Sequence, residues 1–159
     1  MAGTVAIGIQ QFNEIRKKGY FYIDKTAFIR EWWEKGDSVT LITRPRRFGK
    51  TLTMSMVEQF FSVKYAGQQN LFEGLAIWKT KAYREIQGTY PVISLSFANL
   101  KEPSYELTRQ KVCDQLQQLY TEHAYIWESG ILKGADKSFF ERMLHNEKVE
   151  YVDATLALY

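Results

Sequence analysis

Cysteine is nearly absent: the 159-residue chain has one, Cys113. A single thiol closes no internal disulfide and supplies no multi-cysteine metal site. Histidine is almost as scarce. Neither His123 nor His145 has a cysteine or carboxylate partner at metal-ligand spacing. No run of about 18 apolar residues occurs, which excludes a membrane-spanning helix. The N-terminal stretch MAGTVAIGIQQFNEIRKKGY lacks the basic-then-apolar order of a secretory leader. We therefore expect a cytoplasmic protein without a membrane partner. Strong charge is missing as well. A net charge of +3 and a pI near 8.9 are too mild to imply a nucleic-acid partner. Internal repeats and low-complexity tracts are also lacking.

What is present suits one globular domain, or the larger part of one. Hydrophobic residues make up 45% and aromatics 15%, enough bulk for a core. Only Pro45, Pro91 and Pro103 punctuate the chain, each at an expected boundary. Residues 8–18 read as a short helix ending near Gly19, and 20–23 as a short aromatic, β-prone run. Asp24 is placed to cap a helix over 25–35, since its oxygens accept from free first-turn amides. Phe28, Ile29, Trp32 and Trp33 give that helix an apolar stripe, and Gly36 stops it. SVTLIT at 38–43 has the β-branched, apolar character of a buried strand. Leu52, Met56, Phe60 and Phe61 then recur at helical spacing.

Farther on, 66–89 reads as loop and short helix, and YPVISLSF at 90–97 as a second strand. A helix is expected from Pro103 to about residue 125, with Leu107, Val112, Cys113, Leu116, Leu119, Tyr120 and His123 near one side. Two more helices are expected at 137–146 and 151–159. Strands alternating with helices argue for an α/β fold with a parallel sheet. We divide the chain into a helical, aromatic segment at 1–37 and a nucleotide-fold part at 38–159.

The chemistry concentrates at 44–51, RPRRFGKT, between the expected strand and helix. A phosphate-cradling loop needs converging backbone amides, a lysine for the β and γ phosphates, and a hydroxyl for magnesium. A helix N-terminus adds partial positive charge. Against the spacing G-x-x-x-x-G-K-[ST], Arg44 stands at the first glycine. Gly49 admits the backbone to the phosphates, Lys50 is the phosphate lysine and candidate catalytic residue, and Thr51 is the magnesium ligand. Pro45, Arg46, Arg47, Phe48 and Leu52 complete the nucleotide-binding stretch. Four of the seven residues from 44 to 50 are cationic, a concentration that an anionic ligand such as a triphosphate offsets. Arg46 and Arg47 are adjacent and point different ways in any regular structure, so at most one serves the nucleotide. Tyr22, Ile23 or the turn at Asp24–Thr26 is a candidate for the adenine side. Their alternative role is a helix cap beside a buried aromatic strand.

The run ITRPRRFGKTLTMSMVEQFF resembles the AAA-ATPase-like family of prokaryotic proteins, whose loop reads RPRRFGKT or RPRRFGKS. IGIQQFNEIRKKGYFYIDKTAFI, LFEGLAIW at 71–78 and YPVISLSF are similar to further blocks of that family, so the resemblance covers most of the chain. It implies a P-loop NTPase fold with three layers, ATP and Mg2+ as ligands, and, in many members, a C-terminal nuclease-like domain that would act on DNA. It also implies an apolar strand ending in Asp-Glu just after Tyr159, to hold magnesium and position water. Asp136 and Asp153 read as structural or solvated charges. The residues present therefore account for ATP binding rather than hydrolysis, and we expect the N-terminal part of a longer ATPase domain. With two expected strands where open sheets have about four to six, apolar surface should be left over and drive self-association. The competing reading is a non-enzymatic basic module, with Arg44, Arg46, Arg47 and Lys50 binding nucleic acid or a protein partner.

Overall fold

The computed structural model describes residues 4–5, 7–98, 100–145 and 157. The chain forms two compact units, Met1–Val92 and Ile93–Tyr159. The first contains helices α1 (Phe12–Lys17), α2 (Ala27–Lys35), α3 (Lys50–Phe61) and α4 (Lys81–Ile86). Short 3-10 turns at Val63–Tyr65, Gln69–Leu71 and Ala76–Lys79 link the last two. The helix expected over 25–35 is present, and Gly36 ends it with φ 64°, a left-handed conformation that glycine adopts without a Cβ clash.

The core of this unit is aromatic and gathers around α3. Phe12 stacks on Phe72 with ring centroids 5.1 Å apart, and Phe60 meets Phe72 edge-on at 5.1 Å. Phe61 stacks against Trp33 of α2 at 5.1 Å. Met56, Phe60 and Phe61 of α3 are buried together with Ile29, Leu71 and Phe72. Each such side chain contributes roughly 1.5–3 kcal/mol through removal from water.

A buried polar seam runs through the same helix. Gln59 is fully buried, and its amide donates to Ser55 Oγ at 2.9 Å and to Gln11 Oε1 at 3.3 Å. Ser55 Oγ in turn donates to Gln11 Oε1 at 3.0 Å and accepts from the Phe12 amide at 3.1 Å. Ser55 and Gln59 stand one turn apart, so one face of α3 holds the start of α1 in register.

The C-terminal end of α3 is closed by backbone. Gly88 N–H donates to the Phe60 carbonyl at 2.8 Å and Tyr90 N–H to the Phe61 carbonyl at 2.9 Å, satisfying carbonyls that a helix end leaves free. Gly88 is required here: φ is 69°, and a Cβ would lie 2.7 Å from Ala66 Cα.

In the second unit, α5 (Tyr105–Glu122) packs on α7 (Gly134–His145), with α6 (Tyr125–Glu128) between them in sequence. Ser104 caps α5 by accepting from the Leu107 amide at 3.2 Å, so Pro103 precedes the cap. Cys113, Leu116 and Met143 form the core, while Leu107 is exposed. Burial pushes the Cys113 thiol pKa up, as expected of a small core residue. His123 ends α5, its ring nitrogen 2.9 Å from the Leu119 carbonyl. The helix expected at 151–159 falls outside the described residues except for Ala157.

The expected α/β fold with a parallel sheet is not found. Among the described residues there is no strand, and the β pairing present is one isolated parallel bridge between Ser62 and Tyr90. The segment at 38–43 is unpaired, with Val39 87% and Leu41 82% exposed; in 90–97, Ile93 is 72% exposed. The physical reason is that β-propensity records fit to a pleated, half-buried surface. Two short β-branched runs have the composition for such a surface, but neither has a ladder of neighbours that would create it.

Gly88→Ala should destabilise the first unit more than Gly36→Ala. Both residues have positive φ, costing about 1–2 kcal/mol for a side chain, but nothing lies within 4 Å of a Cβ at Gly36. Urea denaturation of the two variants measures the difference.

Candidate functional site

The loop at 44–49 leads directly into α3, so the aromatic core that fixes α3 also fixes the loop's exit. Gly49 is the N-cap residue, with φ 75° and ψ 23°, and no side chain caps the helix. The first turn of α3 carries no acid. Its amide groups therefore face outward with the partial positive charge of the helix terminus.

Lys50 folds back on the loop. Its ammonium donates to the Arg44 carbonyl and lies 3.4 Å from the Pro45 carbonyl. This ties the end of the loop to its beginning. Arg44, Pro45, Arg46, Arg47 and Phe48 are all exposed, and Arg47 takes a left-handed backbone with φ 68°, which is unusual outside glycine. Thr51 is exposed in the first turn, whereas Leu52 packs against the core. Among the described residues, Arg44, Arg46, Arg47 and Lys50 make no ion pair.

Asp24 sits elsewhere in the network. Its Oδ1 accepts from the Thr26 amide at 2.8 Å and the Thr26 hydroxyl at 2.6 Å. Its Oδ2 accepts from the Ala76 amide at 2.7 Å. Thr26 Oγ1 also accepts from the Ile77 amide at 3.1 Å. Asp24 thus builds an Asx turn before α2 and pins the Ala76–Lys79 turn to it, with both oxygens engaged. Burial raises its carboxyl pKa, but the hydrogen bonds from Thr26 and Ala76 and the charge of Arg16 outweigh this, and the net shift is downward. Tyr22 lies beside this turn, its hydroxyl donating to Met56 Sδ at 3.1 Å; burial pushes its pKa up to about 12.

Between Asp24 and Thr26, Lys25 reaches the loop. Its ammonium lies 3.4 Å from the Phe48 carbonyl and 3.1 Å from the point a Cβ on Gly49 would occupy. Nothing in the sequence pairs residues 23 positions apart, so the motif pattern could not reveal this contact. The structure brings Lys25, Phe48 and Gly49 together at one end of the loop, and Lys50, Arg44 and Pro45 at the other.

For a metal, no three of His, Cys, Asp or Glu come together among the described residues. The loop offers the Thr51 hydroxyl. One hydroxyl suits Mg2+ that also takes phosphate oxygens and waters, rather than a cation caged by protein alone. No helix of the described residues is long and apolar enough to cross a membrane.

A glycine-led helix with Lys and Thr in its first turn and a cationic loop before it matches the layout of nucleotide-binding ATPases as a class. The family comparison returns that class: the chain belongs to the AAA-ATPase-like family described as "Predicted AAA-ATPase", whose model matches residues 6–156. A curated relative, an uncharacterized protein in the vnfD 5′ region of Azotobacter chroococcum mcd 1, is 37% identical over 97 residues. The match covers 57% of this chain and 16% of that protein, so the chain spans a small part of its relative's length. No solved structure matches.

The lowered Asp24 pKa has a consequence with a definite sign. A depressed carboxyl stabilises the fold fully above its ordinary value of 3.8, and this contribution is lost as pH falls through the lower folded value. Asp24→Asn should therefore be less stable than the parent at neutral pH and should lose less on acidification below about pH 4. Thermal melts of both proteins across pH 2–7 check this.

Proposed function

We propose that this chain is an ATP-binding module that holds the nucleotide's phosphates at residues 44–51. The observation that carries the reading is the ring closed by Lys50 on the Arg44 and Pro45 carbonyls at the uncapped start of α3. In the bound state Lys50 exchanges these neutral carbonyls for β and γ phosphate oxygens, which are stronger acceptors for an ammonium. The amides of Gly49, Lys50, Thr51 and Leu52 and the helix dipole supply the remaining attraction. Gly49 leaves the backbone open to the phosphates.

Thr51 is the residue that would hold Mg2+, and the metal, when bound, would neutralise phosphate charge. Lys50 is the residue placed to stabilise charge that develops on the transferred phosphoryl group. One of Arg46 and Arg47 serves the phosphates. Asp24 acts on the site at one remove: by fixing the turn at 24–26 it sets where Lys25 leaves the backbone. Hydrolysis needs, besides Lys50, an acidic group to hold magnesium and position water, and action on DNA needs a nuclease-like domain; residues 44–51 supply neither. The exposed Val39, Leu41, Ile93 and Phe97 support self-association of the chain.

Calorimetric titration of ATP with Mg2+ tests the proposal. The parent should bind, and Lys50→Ala should abolish the heat while leaving the circular dichroism spectrum unchanged. Retained tight binding in that variant would remove the loop from the site. If oligonucleotide binds instead, with affinity falling steeply as salt rises, the basic patch is a nucleic-acid surface.

A further inference from the structure

We infer that Lys25 is a second phosphate ligand of this site and makes it selective for nucleoside di- and triphosphates over monophosphates. The inference rests on the reading of residues 44–51 as a nucleotide site and extends it to a residue outside the loop.

Three observations carry it. The Lys25 ammonium lies against the loop, 3.4 Å from the Phe48 carbonyl, at the long limit of a hydrogen bond. It fills the side of Gly49 where any other residue would carry a β-carbon, at 3.1 Å. It makes no ion pair among the described residues, and the adjacent Asp24 carboxylate is committed to Thr26 and Ala76. An ammonium has three donors, and one weak bond to a neutral carbonyl leaves two for an anion. Its stem is also set in place, because Asp24 and Thr26 anchor the backbone on either side to the 76–77 turn.

Lys25 and Lys50 therefore hold the two ends of the loop, on the Phe48 carbonyl and on the Arg44 and Pro45 carbonyls. A chain of two or three phosphates offers these two ammonium groups more charge and more acceptor oxygens than a single phosphate does. Coulomb attraction from the second lysine therefore grows with phosphate number. Gly49 has a second reason to be glycine, since a side chain there would displace the Lys25 ammonium as well as strain the backbone.

The test compares the parent, Lys25→Met and Lys25→Arg in titrations with ATP, ADP and AMP at fixed salt and Mg2+, with Lys50→Ala as the control for the loop itself. Lys25→Met keeps the stem and removes the charge. It should weaken ATP on the order of tenfold, the loss of one charge-assisted contact, and change AMP little. Lys25→Arg should recover most of the ATP affinity, and the melting temperature without nucleotide should be unchanged in both. Equal ATP affinity in Lys25→Met and the parent overturns the inference while leaving the loop site standing. Equal losses for ATP and AMP, with a lowered melting temperature, overturn it too by giving Lys25 a purely structural role. ATP binding indifferent to Lys50→Ala removes the site and the inference together.

Discussion

Helix α3 is pinned by burial over its C-terminal half, from Ser55 to Phe61, and the rest of the first unit depends on that pinning. Met56, Phe60 and Phe61 sit in an aromatic core that takes rings from α1, α2 and the turn at Gln69–Leu71 and beyond. Apolar burial alone would let a helix rotate or slide by a residue. The Gln59–Ser55–Gln11 seam opposes this, because a buried carboxamide displaced from its partners costs about 1–3 kcal/mol. At the far end, the Gly88 and Tyr90 amides occupy the last carbonyls. The two ends of α3 are thus treated differently: one is closed by backbone, and the other opens on a cationic loop without a side-chain cap.

A second tether, independent of the core, joins the segment before α2 to the turn at Ala76–Lys79. Asp24 and Thr26 share it, each accepting an amide from across some 50 residues of chain. Arg16 adds a parallel link, donating to the Leu71 and Glu73 carbonyls at 2.7 Å each. These four hydrogen bonds close the 71–77 region from two sides. They make Asp24 a structural anchor whose influence on the loop passes through its neighbour Lys25.

The helices were legible because their signals are local. Gly36 marks a stop wherever it occurs, and the spacing of Leu52, Met56 and Phe60 needs no partner to be read. The loop stands out as a candidate because its cationic residues are contiguous. The strands were not, since SVTLIT and YPVISLSF are apolar and β-branched in either state and only neighbouring backbone decides between them. Lys25 on Phe48, Asp24 on Ala76 and Gln59 on Gln11 were equally hidden. Each joins residues 23 to 52 positions apart, and such contacts leave no trace in periodicity or spacing. The turn at 24–26 draws notice in the sequence only as a neighbour of the base or as a helix cap, which says nothing of its contact with Phe48.

The packing of Trp32 carries an optical consequence. Its indole Nε1 donates to Thr40 Oγ1 at 3.0 Å, which ties α2 to the segment running into the cationic loop. Its half-buried ring meets Phe61 at 5.6 Å, against the core. Indole emission shifts with hydrogen bonding and polarity at the ring, so this side chain couples the light it emits to the geometry of residues 38–43. Trp33 and Trp78 are stacked on Phe61 and Phe72 and report on the same unit, whereas Trp127 belongs to the other. The first unit thus carries an intrinsic chromophore bonded to the segment that precedes its cationic loop, and needs no label for that contact to be followed in solution.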